Sequence, residues 1–171
     1  MIALSALFWI FVVIFALVGA MRGWSKEILV TFTLVLAIFV IVVMIEFIPF
    51  MNDYMTQGGD TRQVGVRAVI LIVFAFFGYQ SPKLQRISEV MVKERLTDSA
   101  LGFVVGALNG YFLMGSLLYY LNQFNYPFAF LSAPTDSLTT LLAYMPPAFL
   151  GVPAIYFAVA VAFAFVVIVV I

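Results

Sequence analysis

Long apolar runs separated by short polar segments make up most of the chain, a pattern typical of membrane-spanning helices. A helix rises about 1.5 Å per residue and the hydrocarbon core of a bilayer is about 30 Å thick, so one crossing needs about 20 apolar residues. Four runs meet this requirement, and only one of them contains a charged residue, Glu46. They are Ile2–Met21, Ile28–Phe50, Leu101–Leu121 and Val152–Ile171.

A fifth apolar run, Ala68–Tyr79, is only twelve residues long, a length that also suits a re-entrant or buried segment. The basic residues decide between these alternatives. If the run crosses as part of a longer helix, Val64–Leu84, six of the eight Lys and Arg residues fall on one side of the membrane, as the positive-inside rule expects. If it does not cross, the basic residues Arg22 and Lys26 lie on the opposite side from those between Lys83 and Arg95. We therefore predict five spans, with the N-terminus outside and the C-terminus inside.

Two segments between the predicted spans have patterns of their own. Pro82–Leu96 places apolar residues on one helical face and charged residues on the other, which predicts an amphipathic helix in the cytoplasmic interface; a solvated loop helix is the alternative. Asn122–Gly151 is rich in aromatic residues and proline, and we expect this outer loop to lie on the membrane surface or against a partner. Within it, residues 135–137 can cap a short helix that ends before Pro146 and Pro147.

Composition supports an all-α integral membrane protein and argues against several functions. Apolar residues make up 65% of the 171 residues and charged residues 9%, whereas a soluble domain has about 45–50% and about 25%. The formal net charge of zero gives no reason to expect nucleic acid as a partner. Because cysteine and histidine are both absent, the chain lacks thiol nucleophiles, the commonest general base and the usual ligands of zinc and haem. We therefore expect no metal, no cofactor and no enzymatic activity.

Small residues recur at four-residue intervals in the fourth predicted span, and a shorter pair lies where the first span ends. This spacing lets another helix backbone approach closely, which favours helix association in lipid. An asparagine beside the seam can add a hydrogen bond across it, worth about 1 kcal/mol. We interpret the seam as a helix-packing face, with the lining of a translocation path as the alternative. Its residues are Gly19, Gly23, Gly102, Gly106, Asn109 and Gly110.

Glu46 and Arg67 are the ionisable residues predicted to lie within the bilayer or at its edge, where such residues are functional candidates. Glu46 is near the outer end of the second span and Arg67 is near the outer start of the third, so both should lie at similar depth. We interpret them as an ion pair that ties two antiparallel helices together. A proton or ion site is the alternative. An intramembrane aspartyl dyad would require a second carboxylate at this depth.

Two short motifs resemble a known family. Residues 20–27 read AMRGWSKE, which is similar to the RG-x-x-x-E signature that opens the second helix of the colicin V production protein family (CvpA-like). The matching motif residues are Arg22, Gly23 and Glu27. Residues 93–102 (KERLTDSALG) and 106–110 (GALNG) resemble the family's second block, in which a short polar stretch leads into a glycine-rich helix.

The resemblance implies a bacterial inner-membrane protein that is linked to export or envelope maintenance and has no assigned biochemical activity. Its four-helix core would occupy residues 1–122, followed by the outer loop at 123–151 and an additional fifth span at 152–171. Asn109 stands where the family often has a basic residue. An accessory subunit of a larger respiratory or photosynthetic complex is an alternative function, and a solute transporter component is a third. The expected partners are the lipid bilayer and other membrane proteins or further copies of this chain.

Overall fold

Helices dominate the computed structural model, which describes residues 2–80, 95–132 and 139–170. The four long helices are α1 (Leu4–Arg22), α2 (Trp24–Glu46), α4 (Gly59–Gln80) and α5 (Arg95–Gln123). The shorter ones are α3 (Pro49–Gln57), a 3₁₀ turn (Leu142–Tyr144), α6 (Pro146–Phe149) and α7 (Ala154–Val170). Two strands of two residues each, β1 (Ile2–Ala3) and β2 (Leu131–Ser132), pair in parallel.

The four long helices α1, α2, α4 and α5 are long and apolar enough to cross a membrane, which confirms the predicted all-α membrane class. The ambiguous third segment is one continuous helix of 22 residues that begins at Gly59, five residues before the predicted start. The fifth predicted span corresponds to α7, an apolar helix of 17 residues that is shorter than the four helices of membrane-spanning length. At about 1.5 Å per residue, α7 is about 26 Å long, slightly less than the hydrocarbon thickness.

The loop after α5 agrees with the sequence prediction only in part. The 3₁₀ turn does end at Tyr144, before the two prolines, but Pro146 and Pro147 then begin a further helix, α6. Proline has a fixed φ and no amide hydrogen, so the first turn of a helix tolerates it, and Pro146 occupies that first turn. The predicted cap at residues 135–137 lies outside the described residues, as does the predicted amphipathic helix apart from its last two residues, which begin α5.

Contacts between helices give the bundle two distinct ends. At one end, the side chain of Arg22 contacts Tyr79 in the last turn of α4. At the other end, Arg67 lies over the rings of Tyr120 and Phe124 near the end of α5. We call these the Arg22 end and the Arg67 end. Because α4 and α5 run antiparallel, the chain leaves α4 and enters α5 at the Arg22 end.

The most extensive contact between two helices joins α1 to α5, along the glycine seam. A Cβ atom at Gly106 would lie 2.9 Å from the Cα of Gly19, and one at Gly110 would lie 2.9 Å from the Cα of Val12. These distances are shorter than Cβ contacts in real proteins, so the two backbones touch because side chains are absent. The seam therefore packs one helix of this chain against another.

The middle of the bundle is apolar and centres on α2. Leu34 and Ile38 of α2 are fully buried and share a cluster with Leu71 of α4 and Phe112 of α5. Helix α7 joins the same cluster through the buried side chain of Ile155. Lipid is as apolar as these side chains, so close packing, and not removal from water, stabilises this core.

Gly106→Ala should destabilise the bundle, because the new Cβ would meet the backbone of α1, which cannot move without moving the helix. Overpacking of this kind typically costs about 1–3 kcal/mol. Gly65→Ala in α4 is the matched control, because nothing lies within 4 Å of its Cβ position. Higher helix propensity should leave that variant as stable as the parent or stabilise it by up to about 1 kcal/mol. Thermal unfolding in mild detergent measures both, and equal melting temperatures would contradict the role of the seam.

Candidate functional site

A single residue, Gly23, separates α1 from α2 at the Arg22 end. Its φ of 85° lies in the region that glycine adopts without strain and that other residues rarely occupy. A Cβ at this position would also lie only 2.8 Å from the Cγ of Asp98, in the first turn of α5. Gly23 is therefore required both by the turn and by the close approach of α5.

Asp98 supplies the N-terminal cap that Gly23, which has no side chain, cannot give to α2. The backbone N–H of Trp24 donates to Oδ1 of Asp98 at 3.1 Å. The next residue, Ser99, donates from Oγ to the carbonyl of Ala20 at 2.8 Å. A carboxylate at this position also interacts favourably with the dipole of α2. The two motif blocks are thus in direct contact, although Trp24 and Asp98 are 74 residues apart in sequence.

Glu27 lies one turn into α2 and its side chain is completely buried. Its Oε1 accepts a hydrogen bond from Nη1 of Arg22 at 2.7 Å. Its Oε2 accepts one from the hydroxyl of Tyr79 at 3.2 Å and one from Nδ2 of Asn109 at 2.9 Å. A buried carboxylate is costly unless it is paired and hydrogen-bonded, and here both of its oxygens are engaged.

Asn109 is also fully buried and joins α5 to the backbone of α2. Its Nδ2 donates to the carbonyl oxygen of Glu27 at 2.9 Å, in addition to the carboxylate. Its Oδ1 accepts a hydrogen bond from Oγ1 of Thr31 at 2.7 Å. Because the donor and the acceptor of the amide are both used, the side chain has one orientation that satisfies it.

Arg22 lies between the buried carboxylate of Glu27 and the surface, with 21% of its side chain exposed. Its Nη2 donates to the carbonyl of Tyr79 at 3.2 Å, and its guanidinium lies 4.4 Å from the centroid of the Tyr79 ring. Such cation–π contacts stabilise by about 0.5–2 kcal/mol. We call Arg22, Glu27, Thr31, Tyr79 and Asn109 the polar cluster. It carries one positive and one negative formal charge and joins α1, α2, α4 and α5.

The structure brings the motif residues Arg22, Gly23 and Glu27 together with Asn109, which the sequence placed beside the glycine seam. Two members of the polar cluster, Thr31 and Tyr79, were not identified from the sequence. A signal for Tyr79 was available, since it ends the apolar run of α4 at the end of the bundle that carries Arg22. No comparable sequence signal marks Thr31.

The predicted ion pair between Glu46 and Arg67 is not formed. Glu46 is exposed at the C-terminal end of α2. Arg67 is only 5% exposed, donates to the backbone and side-chain oxygens of Gln63 at 2.9 and 3.0 Å, and faces α5. Helix α3 lies between α2 and α4 in the chain, so the two residues do not face each other across a short turn. Within the described ranges, an ion pair forms instead between Arg22 and Glu27.

The polar cluster is suited to holding helices together. The buried carboxylate of Glu27 has no exposed surface through which it can contact a substrate. In the part of the chain that the structure describes, no group of three or more His, Cys, Asp or Glu residues is placed to hold a metal ion.

Membrane-length helices joined by this cluster define a multi-pass helical membrane protein. The family described as Colicin V production protein matches residues 4–139. The chain therefore belongs to the colicin V production protein family, as the two sequence motifs predicted. The matched range contains α1 to α5 and every residue of the polar cluster. No curated protein and no solved structure matches the chain.

Glu27→Gln should lower the stability of the bundle, because it leaves Arg22 without its counter-charge. Breaking a fully buried ion pair costs about 3–5 kcal/mol; we expect the low end, about 3 kcal/mol or less, because Arg22 is partly exposed. Glu46→Gln is the matched control and should change stability by less than about 0.5 kcal/mol, as at other exposed positions. Thermal unfolding in detergent compares the two. A larger effect at Glu46 than at Glu27 would overturn this assignment.

Proposed function

We propose that this protein is a non-enzymatic envelope or export factor of the bacterial inner membrane, and that it acts by packing its helices against partner membrane proteins or other copies of itself. Membership of the colicin V production protein family supports the link to the envelope and export. The observation that carries the proposal is that the matched range contains α1 to α5 and the whole polar cluster.

A non-enzymatic function is supported by the positions of the carboxylates in the part of the chain that the structure describes. A general base must reach its substrate within hydrogen-bonding distance, but both oxygens of Glu27 are already occupied inside the bundle. Asp98 caps α2. The side chains of Glu46, Asp53 and Asp60 are exposed near the Arg67 end. None of these arrangements resembles an enclosed acid–base pair.

Partner binding through helices is supported by the apolar surface of the bundle. Trp9, Val13 and Leu17 of α1 are each more than half exposed, and Phe157 and Phe163 of α7 are about 70% exposed. Lipid tails or the apolar face of another membrane helix suit such surfaces equally well. The proposal therefore assigns partner contacts to the outward faces of α1 and α7, and structural support to the polar cluster.

The Arg22 end is the cytoplasmic end in this proposal. Arg22 and Lys26 lie there, and α4 and α5 connect at the same end through a segment that contains Lys83, Arg86 and Lys93, after which Arg95 begins α5. Only Arg62 and Arg67 lie toward the other end. Cytoplasmic segments of inner-membrane proteins carry such an excess of Lys and Arg. The N-terminus is then outside.

Single introduced cysteines test this orientation. The chain itself contains no cysteine, so each introduced thiol is the one that reacts. We expect Ser88→Cys to resist a membrane-impermeant thiol reagent in intact cells and to react after the membrane is permeabilised. Ser132→Cys, in β2 beyond the Arg67 end of α5, should react in intact cells. The reverse pattern would contradict this orientation, and labelling at both positions would mean that α5, which lies between them in the chain, does not cross.

Complementation tests the function itself. In a bacterium that makes colicin V but lacks its own family member, expression of this chain should restore production of the toxin, scored as growth inhibition of a sensitive strain. Glu46→Gln, Asp53→Asn and Asp60→Asn should each restore it as well, because the proposal gives these exposed carboxylates no chemistry. Failure of the parent chain at normal membrane levels would contradict the envelope or export function. Loss of production in one carboxylate variant, at unchanged protein level, would contradict the non-enzymatic function.

A further inference from the structure

A groove of about 350 Å³ opens between α2 and α4 toward the Arg67 end. Five of its six lining residues are apolar or glycine, and one of them, Val69, is 60% exposed. The groove therefore opens sideways, onto the surface of two membrane-length helices. Apolar chains, and not water, surround this surface in a bilayer. The lining residues are Met44, Arg62, Gly65, Val66, Val69 and Ile70.

Arg62 is the charged member of this lining, and its neighbours hold it in place. Its Nη1 donates to the carbonyl of Tyr54 at 3.1 Å, and its guanidinium lies 4.6 Å from the centroid of the Tyr54 ring. It also packs over Gly58, where any Cβ would collide with the guanidinium. A long side chain that is usually mobile is thus fixed while it remains exposed.

The groove is polar at the end where Arg62 lies and apolar farther along α4. Arg62 is in the first turn of α4, and Val66, Val69 and Ile70 follow on the same helical face at spacings of four, seven and eight residues. At 1.5 Å per residue, this face extends about 12 Å from the guanidinium toward the middle of the bundle. A cation at the end of the span followed by an apolar trough matches the layout of a lipid, in which a charged head group precedes a hydrocarbon chain.

We propose that this groove binds one phospholipid from the leaflet at the Arg67 end, with the phosphate on Arg62 and an acyl chain along Val66, Val69 and Ile70. The charge of Arg62 complements the phosphate, and the planar fork of a guanidinium suits phosphate oxygens. In the described ranges, Arg62 has no recorded ion pair that would compete with this ligand. Exposed acidic side chains at the same end of the bundle, Glu46, Asp53 and Asp60, favour a zwitterionic head group whose ammonium they can face.

Lipid titration of delipidated protein in detergent, read by native mass spectrometry with phosphatidylethanolamine, tests the site. Arg62→Gln should raise the apparent Kd for the first bound lipid about tenfold, because charge-assisted hydrogen bonds to phosphate are lost. Gly65→Leu should raise it to a similar extent by filling the trough, and its side chain enters open space, so folding should be unaffected. Val69→Trp, at an exposed position, fills the trough in a second way. Thr61→Ala, beside Arg62 but outside the lining, should leave the Kd unchanged.

Glycerophosphoethanolamine, which has the head group but no acyl chains, separates the two halves of the site. It should bind far more weakly than the lipid, and its binding should weaken in Arg62→Gln but not in Gly65→Leu. Equal Kd values for the lipid in the parent, Arg62→Gln and both trough-filling variants would show only non-specific lipid adhering to the bundle, and would overturn the proposal. Sensitivity to Arg62→Gln alone would also overturn it, by showing a simple anion contact.

Discussion

The neutralisation of Glu27 by Arg22 is the interaction on which the arrangement of the Arg22 end depends. A carboxylate that is fully enclosed by helices in a membrane is tolerated only if its charge is paired and its oxygens are hydrogen-bonded. Arg22, Tyr79 and Asn109 meet this requirement from three different helices. Satisfying one side chain of α2 therefore fixes the depth and rotation of α1, α4 and α5. A shift of any of them by one turn would leave a buried charge or amide without its partner.

The glycine seam brings the helices close enough for the polar cluster to form. Asn109 reaches α2 only because α5 lies close to the start of that helix, and it lies there because Gly102 and Gly106 allow its backbone to touch α1 at Gly19. At the same end, the absence of a side chain at Gly23 lets Asp98 cap α2. Packing and polar contacts thus require each other. Small residues permit the helices to approach closely, and the hydrogen bonds select one register between them. Van der Waals contact between apolar helices specifies the register less strictly.

The two ends of the bundle handle charge differently. At the Arg22 end, opposite charges meet, with Glu27 buried and Arg22 partly exposed. At the Arg67 end, Arg67 lies against aromatic rings and amide oxygens, and Arg62 is exposed above an apolar groove. At the edge of a membrane, the phosphate groups of lipids neutralise exposed cations that have no protein counter-ion. One end is therefore organised by the protein itself, and the proposed lipid site suits the other.

Composition by itself determined the class of protein, since only lipid accommodates a chain that is 65% apolar. Apolar run length and the distribution of basic residues predicted the four helices that are long enough to cross, but the fifth predicted span is a shorter helix. The motifs at Arg22 and Gly106 were sufficient for the family. Only the tertiary structure decided which polar side chains contact each other. The sequence suggested Glu46 with Arg67 because both looked close in depth, but depth does not fix the rotation of a helix, and Arg67 faces α5. Glu27 instead meets Asn109, 82 residues away, because contacts between distant segments depend on helix packing that no local pattern encodes.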